Sequence, residues 1–127
     1  MSNMKQISDK ITLIPLSNIT AQYKQQISLS DEGRNFTYTS ESPVKWSQSA
    51  DDSDSGLKYD ISHISVCKNP EILHYNNKNI VACMYTMDRN KVYVGTIQIP
   101  AKVIVTPYEK GLYEVTITVS LPYPIDF

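Results

Sequence analysis

Residues 113–121 have the sequence YEVTITVSL, in which apolar and polar side chains alternate without a break. A period of two is typical of a β-strand with one face buried and the other in water. The inward face would consist of Tyr113, Val115, Ile117, Val119 and Leu121. The β-branched threonines on the other face favour the same conformation. This segment therefore predicts a half-buried strand in a sheet.

Two hairpins are predicted around this strand. Residues 102–106 are strand-like and are joined to it by a turn that contains Pro107 and Gly111. Upstream, residues 79–87 are apolar on both faces, which indicates a central strand, and a short polar turn connects them to a strand over 91–99. Within that last strand, Gly95 predicts a bulge or a close approach of two backbones.

The first half of the chain has weaker patterns. Residues 23–30 alternate and lead through a polar link into 35–39, which predicts a third hairpin. Further strands are expected over 10–16 and 57–67. The latter would place four residues on one face: Leu57, Tyr59, Ile61 and His63. A turn or two of helix is expected near 17–22 or 69–73.

Residues 40–56 are rich in Ser and Asp. Such a composition is typical of an exposed loop, and we expect one here, with a short strand around Val44 and Trp46. No repeat or linker divides the chain. The expected fold is a single all-β domain over 1–127, an antiparallel β-sandwich or flattened barrel of about eight strands with little helix and with extended N- and C-terminal arms.

Composition limits the classes of partner. The formal net charge is −1, so the chain has no excess of positive charge with which to bind nucleic acid or an anionic membrane. It also has no apolar stretch long enough to span a membrane and no signal-peptide pattern at its start. We therefore expect a protein that is soluble and not exported, located in the cytoplasm or, if viral, in the virion.

Metal and catalytic sites find little support. The residue types that bind zinc are present as His63, Cys67, His74 and Cys83, but their spacing fits no zinc motif. The acidic run 51–56 lacks the glutamate that closes a calcium loop. No nucleophile stands beside a base in a known motif. We expect no cofactor, no metal and no enzymatic activity.

The C-terminal residues form an apolar tail interrupted by Pro122 and Pro124. Proline keeps the tail out of a sheet interior, while its apolar side chains need to be covered. We therefore expect a structural subunit that self-assembles through strand edges and terminal arms, in a homo-oligomer or with other structural subunits, and we expect this tail to form an assembly interface. The residues assigned to it are Leu121, Tyr123, Ile125 and Phe127. By analogy of architecture, such a subunit would suit a virus or phage particle as a coat, cement or tail protein.

An alternative is a monomeric β-sandwich that binds a glycan or a protein ligand. Aromatic side chains on an exposed sheet can hold such ligands. The candidate ligand-binding residues are Tyr38 and Trp46, together with the segment 40–56.

Overall fold

The computed structural model describes residues 7–23, 25–30, 34–53 and 56–125, so residues 1–6 of the predicted N-terminal arm lie outside it. In these ranges the chain forms ten strands: β1 (Ile7–Pro15), β2 (Ile19–Tyr23), β3 (Gln26–Leu29), β4 (Phe36–Thr39), β5 (Lys45–Ser53), β6 (Gly56–Cys67), β7 (Lys78–Thr86), β8 (Lys91–Val94), β9 (Ala101–Pro107) and β10 (Tyr113–Leu121). Two short 3-10 helices occupy Leu16–Asn18 and Pro70–Tyr75. No helix within the described ranges has the length and apolar character needed to cross a membrane.

Eight of the strands form one curled antiparallel sheet, a half-barrel, which confirms the predicted all-β fold with little helix. The order is β4-β1-β7-β9-β10-β6-β5. Strand β8 pairs with residues 82–85 of β7, while β9 pairs with residues 78–80, so β8 and β9 follow one another along the same edge of β7. Strands β2 and β3 form a separate two-stranded sheet.

Strand β10 has the predicted bounds and the predicted faces. It lies between β6 and β9, and Val115 and Ile117 are completely buried on its inward side. This face joins the main core inside the half-barrel. Ile72 of the second 3-10 helix belongs to the same core and has no exposed surface. The predicted short helix at 69–73 is thus confirmed, and it covers one part of the barrel interior.

Strand β7 is buried on both faces, as its apolar sequence predicts. Ala82 and Met84 face the main core. Val81 and Cys83 face the opposite way and form a second, smaller core with residues that include Ile14 of β1. The β2–β3 hairpin contributes to the cover of this second core, so the outer surface of β1 and β7 is not in water.

The predicted third hairpin is wrong. Residues 23–30 do not form one strand that pairs with 35–39; instead β3 folds back on β2, and β4 pairs with β1. The side chains explain the outcome, because Tyr23 is 72% exposed whereas Phe36 and Tyr38 are buried. These two aromatic residues lie opposite Leu13 and Ile11 of β1, so that pairing buries more apolar surface.

The segment 40–56 is also not the long loop that its composition predicts. Strand β5 pairs with β6 through nine residue pairs, from Lys45 opposite Ile64 to Ser53 opposite Gly56. Low intrinsic strand propensity is overridden here by hydrogen bonding to β6, since propensity in sheets depends on context. The inward positions alternate correctly: Trp46 is half-buried while its neighbours on either side are exposed.

Gly95 confirms the predicted close approach of two backbones. Its φ is +95°, and a Cβ placed there would lie 2.7 Å from the backbone nitrogen of Ala101. The chain leaves β8 at this point, so the strand predicted over 91–99 ends at Val94. Thr96 donates its amide hydrogen to the carbonyl of Ile99 at 2.9 Å, which makes residues 96–99 a tight turn.

Candidate functional site

The C-terminal tail lies against its own domain. Leu121 is 1% exposed and Ile125 is 4% exposed, and both belong to the main core. Tyr123 is half-buried and packs against the same core. Phe127 lies outside the described residues. Leu121 and Ile125 therefore have their apolar surface covered by the chain itself, and the prediction that the tail binds a neighbouring molecule stays a prediction.

One side chain of β5 holds the tail in place. The Gln48 amide nitrogen donates to the carbonyl oxygen of Ile125 at 3.3 Å, and the Ile125 amide nitrogen donates to Gln48 Oε1 at 2.9 Å. A side-chain amide carries the same donor and acceptor as a peptide group. Gln48 thus bonds the tail as a neighbouring strand would.

Tyr38, a predicted ligand-binding residue, is a core residue. The residue is 7% exposed, and its ring stacks with Phe36 at a centroid distance of 5.7 Å. Its hydroxyl lies 2.6 Å from Ser65 Oγ, across the barrel interior. Burial raises the pKa of the Tyr38 phenol well above its usual range. The structure does not place Tyr38 with Trp46 in an exposed aromatic patch.

Trp46, the other predicted ligand-binding residue, packs edge-on against His63, with ring centroids 6.5 Å apart and planes inclined at 71°. His63 is completely buried. Burial disfavours the charged imidazolium and lowers the pKa of His63 to about 4. Neither ring nitrogen has a hydrogen-bond partner among the described residues. His63 is therefore neutral near pH 7, and the burial of its two nitrogens without partners costs stability.

The four residues weighed as zinc ligands are dispersed. Cys67 lies in the main core, Cys83 lies in the second core on the other face of β7, and His74 is exposed on the second 3-10 helix. Burial raises the pKa of both thiols. In the part of the chain that the structure describes, no three His, Cys, Asp or Glu side chains are grouped to hold a metal ion.

The edges of the curled sheet differ in how they are covered. At β8, the Gln25 side-chain nitrogen donates to the Tyr93 carbonyl at 2.8 Å, and the Tyr93 amide donates to Gln25 Oε1 at 2.7 Å. After β4, Glu41 donates its amide hydrogen to the Val66 carbonyl at 2.8 Å, and Ser40 Oγ accepts from the Val66 amide at 3.0 Å. These contacts join the end of β4 to β6 across the opening of the half-barrel.

Strand β5 is the long edge of the sheet. It has nine residues, against four in β4 and four in β8. Its pairing partner is β6, and no other strand within the described ranges pairs with its far side. Sequence reasoning missed this edge because it assigned the segment to a loop. The signal that could have found it is the alternation of Val44, Trp46 and Gln48 with polar residues.

The outer face of β5, β6 and β10 is lined with hydroxyl groups. Ser47 lies beside Ser62, which lies beside Thr118. In the next row Ser49 lies beside Asp60, whose carboxylate accepts a hydrogen bond from the Ser120 hydroxyl. These rows line a shallow groove of about 440 Å³. Such a surface can hydrogen-bond polar ligands but has no aromatic side chain for stacking.

We found no match to the chain among protein-family models, curated proteins or solved structures.

Proposed function

We propose that the chain is a non-enzymatic structural subunit that assembles with copies of itself through strand edges. The observation that supports the proposal is the outer edge of β5, a nine-residue strand with a strand partner on one side only within the described ranges. An open edge presents backbone donors and acceptors that a strand of another molecule can pair.

Strand β5 lacks three of the features that protect unused edges. Edges that stay unpaired are commonly very short, contain proline, are distorted by a bulge, or carry charged side chains. Strand β5 contains no proline, and its register with β6 runs without a shift along its whole length. Its charged side chains lie near its two ends, at Lys45 on one side and at Asp51 and Asp52 on the other.

The proposal assigns the assembly contact to this edge rather than to the tail, since Leu121 and Ile125 are already buried in the chain's own core. By analogy of architecture, we extend it to a coat, cement or tail component of a virus or phage particle, because such particles use small β domains that associate through edges and arms.

Sedimentation velocity of the full chain over a wide range of concentration tests the proposal. We expect a sedimentation coefficient that rises with concentration toward a dimer or a larger assembly. A chain that sediments as a monomer at every concentration would contradict it.

A binding module for a glycan is the second candidate function, and the hydroxyl-lined groove between β5, β6 and β10 favours it. Proteins commonly bind sugars through hydrogen bonds to carboxylate and hydroxyl groups. The groove offers such groups in the carboxylate of Asp60 and the hydroxyls of Ser47 and Ser62. Titration calorimetry against a panel of soluble oligosaccharides is the direct test. Heat of binding that is lost in Asp60→Ala would support this function, and no binding to any of them would reject it.

A further inference from the structure

We infer that β5 pairs antiparallel with β5 of a second copy, in the register that places the two Gln48 residues opposite each other on a twofold axis. This inference rests on the proposed self-assembly and names its contact. Because side chains alternate along a strand, residues that lie opposite each other across an antiparallel pair share a face of the sheet. The side chains of β5 then decide which register is favoured.

On the outer face this register brings opposite charges together. Lys45 of one copy lies opposite Asp51 of the other, and the twofold axis repeats the pair. Within its own chain Asp51 already lies beside Lys58, whereas Lys45 lies beside Ile64. Each Asp51 would therefore have a lysine on both sides, and each Lys45 would gain a carboxylate. Opposite charges directly across a sheet stabilise the pairing, while like charges oppose it.

On the inner face the same register places a large side chain against a small one. Trp46 of one copy lies opposite Ala50 of the other. Trp46 is half-buried and Ala50 is exposed, so the methyl group leaves room for the indole and covers part of it. Gln48 needs only its backbone for this pairing, because its side chain is held by Ile125.

The neighbouring registers lack this match. With Ser49 on the axis, Trp46 would face Asp52 and Lys45 would face Ser53. With Ser47 on the axis, Trp46 would face Gln48, and Lys45 would face a serine. Of these three registers, the one centred on Gln48 alone pairs opposite charges.

A charge-reversal cycle tests the inference. Sedimentation velocity would give the dissociation constant for the unchanged chain and for Lys45→Asp, Asp51→Lys and the double variant. Each single change replaces two attractive pairs with two repulsive ones, so we expect binding about tenfold weaker or more. The double variant restores opposite charges and is expected to return to within about threefold of the unchanged chain.

Lys102→Asp is the matched control. Lys102 is exposed and lies on the outer face of β9, two strands away from β6, so the same change in charge should leave the dissociation constant unaltered. Asp51→Lys also places a lysine beside Lys58 of its own chain, so its fold is checked by circular dichroism and thermal unfolding. Hydrogen exchange gives a second measurement: the alternate amides of 45–52 that point away from β6 should become more protected as concentration rises.

The outcomes separate the inference from the proposed function. A monomeric unchanged chain overturns both. Association that none of the β5 variants weakens overturns the edge contact and leaves self-assembly through another surface. Weakening by both single changes without recovery in the double variant overturns the register centred on Gln48.

Discussion

Gln48 and Ile125 are separated by 77 positions, yet one side-chain amide satisfies both backbone groups of the tail residue. The contact holds Ile125, the last described residue, against β5, and the Ile125 side chain packs in the core. Because the tail contains Pro122 and Pro124, it cannot supply a regular ladder of amide donors to a strand. A side chain that imitates a peptide group solves this problem at a single point.

Replacement of Gln48 by alanine should destabilise the fold. Two hydrogen bonds are lost and the Ile125 peptide loses its partner, so we expect a decrease of about 1–3 kcal/mol in the free energy of unfolding, measured in urea. Ser49→Ala is the control, since its side chain is exposed on the outer face, and it should change stability by less than about 0.5 kcal/mol. Equal stability of the two variants would show that the Gln48 contact is unimportant.

Truncation of Ile125 to alanine should also weaken the fold. A buried isoleucine typically contributes about 2–5 kcal/mol relative to alanine, and a site near the chain end should fall toward the lower value. Ile104→Ala is a matched substitution, because Ile104 is 38% exposed on β9. We expect Ile104→Ala to lower the free energy of unfolding by well under half as much as Ile125→Ala does. The reverse order in chemical unfolding would contradict the burial of the tail.

Acid should destabilise the fold through His63. Its pKa falls from 6.5 to about 4 in the folded protein, so between these values the unfolded chain binds the additional proton. Stability is therefore full above pH 6.5 and is lost as pH falls toward 4, by about 3 kcal/mol from this group. His63→Leu should remove this part of the pH dependence and should be at least as stable at pH 7, because it removes two buried nitrogens without partners.

The exposed His74 supplies the control for that measurement. Unfolding curves of His74→Gln should keep the same dependence on pH as the unchanged chain. If His63→Leu were to show the unaltered pH dependence, the burial of a neutral His63 would be refuted.

Gly95→Ala should be strongly destabilising. The positive φ disfavours any side chain, and the added Cβ would meet the Ala101 nitrogen at 2.7 Å. Gly111→Ala isolates the first effect, because its φ is +78° and nothing lies within 4 Å of the added carbon. We expect the free energy of unfolding, measured by thermal unfolding, to fall by about 1 kcal/mol in Gly111→Ala. In Gly95→Ala it should fall by at least about 2 kcal/mol more. Similar losses at both positions would argue against the close approach.

The predictable parts of this fold are those in which burial leaves a periodic trace. The bounds and the inward face of β10 could both be predicted from its alternating sequence. Strand β7 could be predicted from the apolar residues on both of its faces. Strand β5 could be recognised only at its start, where Val44 and Trp46 alternate with polar residues, because its second half is made of Ser, Ala and Asp. The sequence also showed that the tail had to be covered. It could not show that Gln48 covers it, since a contact between distant residues has no periodicity.

The pairing of β4 was missed for a related reason. Alternation in residues 23–30 resembles a strand with a buried face, but Tyr23 and Leu29 remain exposed. Competition between possible partners is decided by the total apolar surface that each pairing buries, which a local pattern does not contain. Strand β4 pairs with β1 because Phe36 and Tyr38 bury more apolar surface there.

The two cysteines lie in different layers of the molecule, and this gives the chain a pair of internal reporters. Cys83 lies in the second core, to which Ile27 of the β2–β3 hairpin contributes, so a transient lifting of that hairpin would admit a thiol reagent while the half-barrel stays closed. Cys67 belongs to the main core at the end of β6, where it lines a separate pocket with Lys68 and Asn69, so its labelling should not depend on the hairpin. The ratio of the two labelling rates would then measure how independently the β2–β3 hairpin opens from the rest of the molecule.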